Sequence, residues 1–378
     1  MKIFLLLLFW SLWFLNFSTR IVISPLLPII EDELAISHAM AGSIFSFLSA
    51  GYAITLLLSG FLSPRIGYKR SIVLGFTILM TAVFCLQYAT TYPSFAIVTL
   101  FVGLGAGIYL PSVMPLLTAI FARDNWGKAI GFHETAASFS ILSVPLLTTV
   151  ALHFFHWRAL FFILSMTCFV VVISFCIFSP DPRPQTEKRA RLSSILSRKD
   201  FWIMAILWIF AASNSLGLYN LIPLFLVKEK GMSLEMANTI FGISRTGGFF
   251  IVILAGFLVD RYGAKKILFL ILLTTGLTTV GLALAQTLPR LVVMLILQAT
   301  VCAGFFPVAF VAISKITSFN ERSIFTGTTI AIGVIVGLGL TSFVLGAVAD
   351  VWNFQYGIFV LGVVTALSCI LLRGIGEI

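Results

Sequence analysis

Apolar residues along this chain come in long continuous runs, without the one-on, one-off alternation of a half-buried strand. The runs fall near 3–30, 38–62, 71–90, 93–121, 128–152, 157–178, 201–227, 234–258, 267–286, 289–314, 323–349 and 353–372. A helix rises about 1.5 Å per residue, so roughly 20 apolar residues cross the hydrocarbon of a bilayer. The pattern therefore predicts an all-α polytopic membrane protein with twelve transmembrane helices. A membrane β-barrel is excluded, because its strands would alternate apolar and polar positions over about ten residues. The first run follows Lys2 as a signal peptide would. It is too long for one and lacks a small-residue cleavage site, so it is read as the first spanning helix.

Composition agrees with the pattern, and charge adds an orientation. Of 378 residues, 60% are hydrophobic and only 10% charged, where soluble domains carry about 25% charged. The net charge of +10 raises the question of nucleic acid, and its distribution answers it. With the N-terminus inside, 18 of the 24 Lys and Arg fall in cytoplasmic segments. Only Arg158, Lys228, Lys230 and Arg290 fall on the opposite side, and Arg20 and Arg245 lie within spans. An excess of this kind sets topology, with both termini cytoplasmic and the chain in the cytoplasmic membrane. The five cysteines all lie in apolar runs, without a C-x-x-C spacing or a histidine cluster, so they read as packing residues. No metal or cofactor is expected. No G-x-S-x-G, H-E-x-x-H or P-loop pattern is present, which argues against an enzyme.

The chain also repeats itself. SGFLSPRIGYKR at 59–70 aligns with AGFLVDRYGAKK at 255–266, an offset of 196, with six of twelve positions identical. The same offset carries Pro93 onto Pro289 and Pro111 onto Pro307. Prolines in long apolar helices kink them, so matched prolines imply matched helix shapes. Between the copies, SPDPRPQTEKRARLSSILSRKD at 179–200 is the longest polar stretch. It reads as a cytoplasmic linker between an N-terminal six-helix bundle, 1–178, and a C-terminal one, 201–378.

With its doubled loop, this sequence resembles the major facilitator superfamily, whose signature G-x-x-x-D-R-x-G-x-K-K follows the second helix of each half. The second copy is complete, with Gly256, Asp260, Arg261, Gly263, Lys265 and Lys266. The first keeps Gly60, Arg65, Gly67, Lys69 and Arg70, but has Pro64 where the family usually has Asp. FVGLGAGIYLPSVMPLL at 101–117 is similar to the family's glycine-rich fourth helix. The resemblance implies two pseudo-symmetric bundles, alternating access, a gating role for the loop motif and a central cavity. It is nearly silent about substrate.

Three formal charges lie deep inside spans: Arg20 in the first, Glu134 in the fifth and Arg245 in the eighth. Charges at such depth face a bundle interior or a water-filled cavity, and mark function. The resemblance places all three spans around the central cavity. Two cations against one carboxylate leave a net positive site, which suits an anion. Arg20 and Arg245, one from each half, are expected to grip it through planar forks. Glu134 is the candidate proton-coupling carboxyl. His133 titrates in a suitable range, but adjacent helical residues point about 100° apart, and Glu134 is preferred. Tyr52, Tyr109, Asn214, Tyr219, Asn220, Gln298 and Thr329 are candidate lining residues. The expected function is proton-coupled symport of a small organic anion. The alternatives are an exporter of a drug, siderophore or metabolite, and an amino-acid or zwitterion transporter. The G-P dipeptide of drug-type exporters is absent, since Val144 precedes Pro145. Expected partners are the bilayer, the substrate and protons, but no nucleic acid, with the chain acting as a monomer.

Overall fold

The computed structural model describes residues 2–122, 125–181 and 192–376, and among them no strand occurs. Of the expected linker at 179–200, residues 182–191 lie outside the described residues, and Leu192–Leu196 form a short helix. Among the described residues, eleven helices are long and apolar enough to cross a membrane. Large apolar side chains such as Phe250 and Phe257 stay 74% and 71% exposed, as lipid-facing positions do. In the first half the helices are α1 (Lys2–Leu34), α2 (His38–Ile66), α3 (Tyr68–Leu86), α4 (Tyr92–Ile120), α5 (Trp126–Leu152) and α6 (Trp157–Phe178). In the second they are α7 (Lys199–Lys228), α8 (Leu234–Ile243 and Gly247–Tyr262), α9 (Ala264–Ala283), α10 (Leu288–Ile316), α11 (Ile324–Val351) and α12 (Phe354–Gly374).

Several of these helices are interrupted, and the sequence says where. α1 breaks at Val22, because Pro25 has no N–H to offer the Ile21 carbonyl and its ring crowds that oxygen. α4 breaks at Ile108, ahead of Pro111, and α10 at Gly304, ahead of Pro307. The two breaks are separated by the same 196 residues as the prolines that cause them. α8 was expected as one span over 234–258 and is divided by a turn at 244–246. There Arg245 N–H bonds the Gly242 carbonyl at 3.1 Å and Thr246 N–H bonds that of Ile243 at 3.1 Å. Gly242, Gly247 and Gly248 lower helix propensity around the turn. Gly247 is also needed for packing, since a Cβ there would lie 2.0 Å from Thr300 Oγ1 on α10. α7 and α11 each carry a π-helical stretch, Ser213–Gly217 and Val334–Leu340. The two stretches pack backbone to backbone, so that a Cβ on Gly217 would lie 2.3 Å from the Gly337 oxygen.

The chain forms two compact units, Met1–Ala35 with Phe47–Glu187, and Ile36–Ser46 with Lys188–Ile378. The first turns of α2 thus belong with the second unit. There the Asp350 carboxylate accepts the N–H groups of His38 and Ala39, both at 2.9 Å. Ser46 donates to the Gly339 carbonyl at 2.8 Å. An acidic side chain on the free N–H groups of a helix start is a favourable cap.

The repeated loop has the same job in each unit. Gly67 and Gly263 take φ of 97° and 82°, a region that side chains other than glycine enter at a cost. Each thereby turns the chain sharply into the next helix, α3 or α9. Two residues on, Lys69 Nζ donates to the Cys176 and Ser179 carbonyls at 2.9 and 2.7 Å, at the end of α6. Its counterpart Lys265 donates to the Ile375 carbonyl at 2.6 Å, beyond the end of α12. A cation on unpaired C-terminal carbonyls satisfies both hydrogen bonding and the helix dipole. Lys69→Ala and Lys265→Ala are each expected to cost about 1 kcal/mol, read as a lower unfolding temperature in detergent. Arg70→Ala and Lys266→Ala, at the neighbouring exposed positions, are expected to change it little.

Candidate functional site

Arg20 sits in the last turn before the break in α1, only 9% exposed. Trp13 and Phe17 stand two turns and one turn before it on the same helix, so their rings converge on its guanidinium, while the Asn16 side chain donates to the Ala106 carbonyl of α4 at 3.1 Å. The Phe17 ring lies 4.2 Å from the guanidinium carbon and the Trp13 ring 5.8 Å. The Tyr52 ring from α2 closes the cage at 4.7 Å. Tyr52 is brought in by close helix packing, since a Cβ on Gly107 of α4 would lie 2.3 Å from the Tyr52 carbonyl oxygen. Arg20 Nε donates to the Asn16 carbonyl at 3.0 Å. Its Nη2 is buried with no hydrogen-bond partner.

On the other side of Trp13 lies a hydrogen-bonded chain. The Trp13 ring stacks on Tyr109 and on His133, with centroids 5.3 and 5.6 Å apart. Tyr109, the first residue after the α4 break, donates its hydroxyl to the Phe9 carbonyl of α1 at 3.0 Å. The same hydroxyl lies 3.0 Å from His133 Nε2, and His133 Nδ1 lies 3.0 Å from Glu134 Oε1. His133 is fully buried, while the Glu134 side chain is 45% exposed. Their side chains do diverge, but the flexible carboxylate folds back onto the ring. Glu134 opens to the outside of this cluster and His133 carries its contact inward.

The second unit repeats the caged arginine with the helices exchanged. Arg245, at the α8 break and 9% exposed, has the Tyr219 ring of α7 at 4.7 Å and Phe241 at 5.3 Å. Its Nε is buried and unpartnered. Subtracting the 196-residue offset places Tyr219 at position 23 and Arg245 at position 49, each three residues from Arg20 and Tyr52. Three residues is about one helical turn. The repeat therefore keeps a buried arginine against a tyrosine and swaps which helix carries the cation. Among the described residues neither arginine has a carboxylate within ion-pair reach.

The other expected lining residues divide into two groups. The Asn214 amide is used up inside the second unit, donating to Phe210 O and Thr365 Oγ1 at 2.8 and 2.7 Å and accepting from Thr279 at 2.8 Å. Asn220 donates to Ser342 Oγ at 3.1 Å. Gln298 and Thr329 differ: both are fully buried, and Gln298 Oε1 and Thr329 Oγ1 have no partner. Asp260 and Arg261 of the loop motif are exposed at the end of α8. Trp13 and Asn16 were not foreseen as site residues. Their signal was present as spacings of seven and four residues before Arg20, which place them on its face of the helix.

Two repeated helical units, each with a buried arginine at a broken helix, are the build of a multi-pass membrane transporter. The description of the Major Facilitator Superfamily matches residues 9–288 and 236–375, and the chain belongs to that family. A hexuronate transporter of Bacillus subtilis is 24% identical over 67% of this chain and 63% of its own length. A hexuronate transporter of Escherichia coli K12 is 25% identical over 58% of this chain and 56% of its own. The chain thus matches less than two thirds of either relative. Among solved structures, a D-xylose-proton symporter superposes with a TM-score of 0.85 at 16% identity, covering 100% of this chain and 99% of that one. Family and relatives alike are transporters, not enzymes.

Proposed function

We propose that this chain is a proton-coupled symporter of a small organic anion, working by alternating access in the cytoplasmic membrane with both termini inside. The observation that carries the reading is the state of Arg20. A guanidinium buried with one N–H set unpartnered is costly, by about 1–3 kcal/mol or more for a charged donor. A packing arginine would be paired with a carboxylate, as Arg158 is with Glu33 at 2.7 Å. Arg20 is held by aromatic faces instead, which steady the cation without neutralising it. The vacant donor is where a substrate carboxylate fits. Arg245 offers the same chemistry in the second unit.

Coupling to protons rests on the Glu134–His133 pair, the titratable pair next to this site. The hexuronate transporters among the relatives favour a carboxylate-bearing substrate, and the xylose symporter is named for a proton. Asp260 and the other loop-motif residues are assigned to gating. Reconstituted protein given a panel of sugar acids, other carboxylates and neutral sugars tests this. Acids are expected to accumulate when the pH gradient is directed inward, and neutral sugars to be ignored. Accumulation of neutral sugars alone would overturn the anion reading, and indifference to the gradient would overturn proton coupling.

A further inference from the structure

Tyr109 has one hydroxyl hydrogen and two neighbours at 3.0 Å, the Phe9 carbonyl and His133 Nε2. A carbonyl oxygen can only accept. While the hydroxyl donates to Phe9, His133 Nε2 must therefore carry a hydrogen and donate to the tyrosine oxygen. That assignment determines the other end of the ring. The 3.0 Å contact between Nδ1 and Glu134 Oε1 holds one proton, whether it resides on nitrogen or oxygen. The pair in this arrangement carries two protons in all: one on Nε2 and one shared with the carboxyl group.

Removing one proton forces a rearrangement. The half-exposed Glu134 gives the pair its way out to water. The remaining proton moves to Nδ1, where it satisfies the Glu134 carboxylate, and Nε2 is left as a bare acceptor. The Tyr109 hydroxyl is the donor beside it, so it rotates from Phe9 to Nε2. The Tyr109 bond from α4 to α1 is then gone, and the Asn16 side chain, which donates to the Ala106 carbonyl at 3.1 Å, is left as the hydrogen bond between the two helices.

We infer that the Tyr109 hydroxyl is a proton-operated tether. It binds the Phe9 carbonyl of α1 when the Glu134–His133 pair carries two protons and lets go of it when the pair carries one. This rests on the proton-coupled reading above and supplies its mechanical step. The surroundings favour the role. The groups facing His133 are Glu134 on its own helix, Tyr109 from α4, and Trp13 with the Phe9 carbonyl from α1. Arg20 lies beyond the Trp13 ring that both it and His133 contact. The tether and the substrate arginine therefore pull on the same helix, on the same side of its break at Val22. Tyr109 is a positioning residue, since it neither holds the transported proton nor touches the anion in this scheme.

The test is Tyr109→Phe, which removes the hydroxyl and keeps the stacked ring. It is expected to unfold at nearly the same temperature as wild type, and in proteoliposomes its own exchange rate is the reference against which its accumulation is read. Gradient-driven accumulation should fall about tenfold, the value of one proton over one pH unit. The pH step in exchange seen for wild type should vanish. Wild-type accumulation with an unchanged pH profile in Tyr109→Phe would overturn the tether while leaving proton coupling intact. Wild-type protein indifferent to the gradient would overturn both. Should the variant not fold, infrared difference spectra of wild-type protein with labelled tyrosine decide the matter. A tyrosine C–OH band must shift between pH 5 and 8 as the acceptor changes from carbonyl to imidazole, and no shift overturns the inference.

Discussion

Arg20→Lys is expected to fail almost as badly as Arg20→Ala. The cage of Phe17, Tyr52 and Trp13 is shaped for a flat cation with ring faces 4.2 to 5.8 Å from its centre. A compact, strongly hydrated ammonium stacks poorly there and cannot offer two parallel N–H bonds to a carboxylate. Losing one desolvated charged contact costs about 2–5 kcal/mol, or tens-fold to a few thousand-fold in affinity. Binding of a sugar acid to purified protein, measured calorimetrically at neutral pH, checks this. Arg245→Lys should show a loss of the same kind, since Tyr219 and Phe241 enclose it in the same way. Near-wild-type affinity in Arg20→Lys would reduce the arginine to a packing element. A double variant, Arg20→Gln with Glu134→Gln, separates the cases further: the two residues do not pair, so no mutual rescue of uptake is expected.

The fold was legible because its determinants are coarse. Twelve apolar runs and a doubled loop needed no knowledge of contacts, and Pro111 and Pro307 announced two helix breaks at the correct spacing. The α8 break was not legible in the same way. No proline marks it, and it depends on α10 pressing Thr300 against Gly247, a tertiary fact. The π-helical stretches of α7 and α11 were missed for a similar reason, since each exists where the two backbones touch. Within the site, the three charges stood out by the cost of burying them, which sequence alone reports. Their partners did not. Depth in a helix says that Arg20 must be accommodated, but not whether a carboxylate or a set of rings does it. Asn214 shows the converse. A buried amide on a cavity helix looks like a substrate ligand until Thr279 and Thr365 are seen to occupy it.

Glu134→Gln is expected to separate exchange from accumulation. A glutamine at this position keeps the 3.0 Å contact with His133 Nδ1, but now as an amide N–H donor that does not ionise. The ring is then held as the neutral tautomer with its hydrogen on Nε2, and Tyr109 keeps its bond to Phe9. The variant is thereby fixed in the loaded arrangement. Substrate should still bind at Arg20 and exchange across the membrane at a rate within about twofold of wild type. An inward gradient of one pH unit should no longer concentrate it, where one coupled proton drives about tenfold accumulation in the wild type. Glu134→Ala serves as the contrast. It leaves Nδ1 without a partner, so His133 is free to take either tautomer and the Tyr109 bond is no longer locked. Exchange in Glu134→Ala should therefore retain some dependence on pH, while Glu134→Gln shows none. Full accumulation by Glu134→Gln would place the coupling proton elsewhere, and Glu134 would then be a partly exposed carboxylate that only steadies His133.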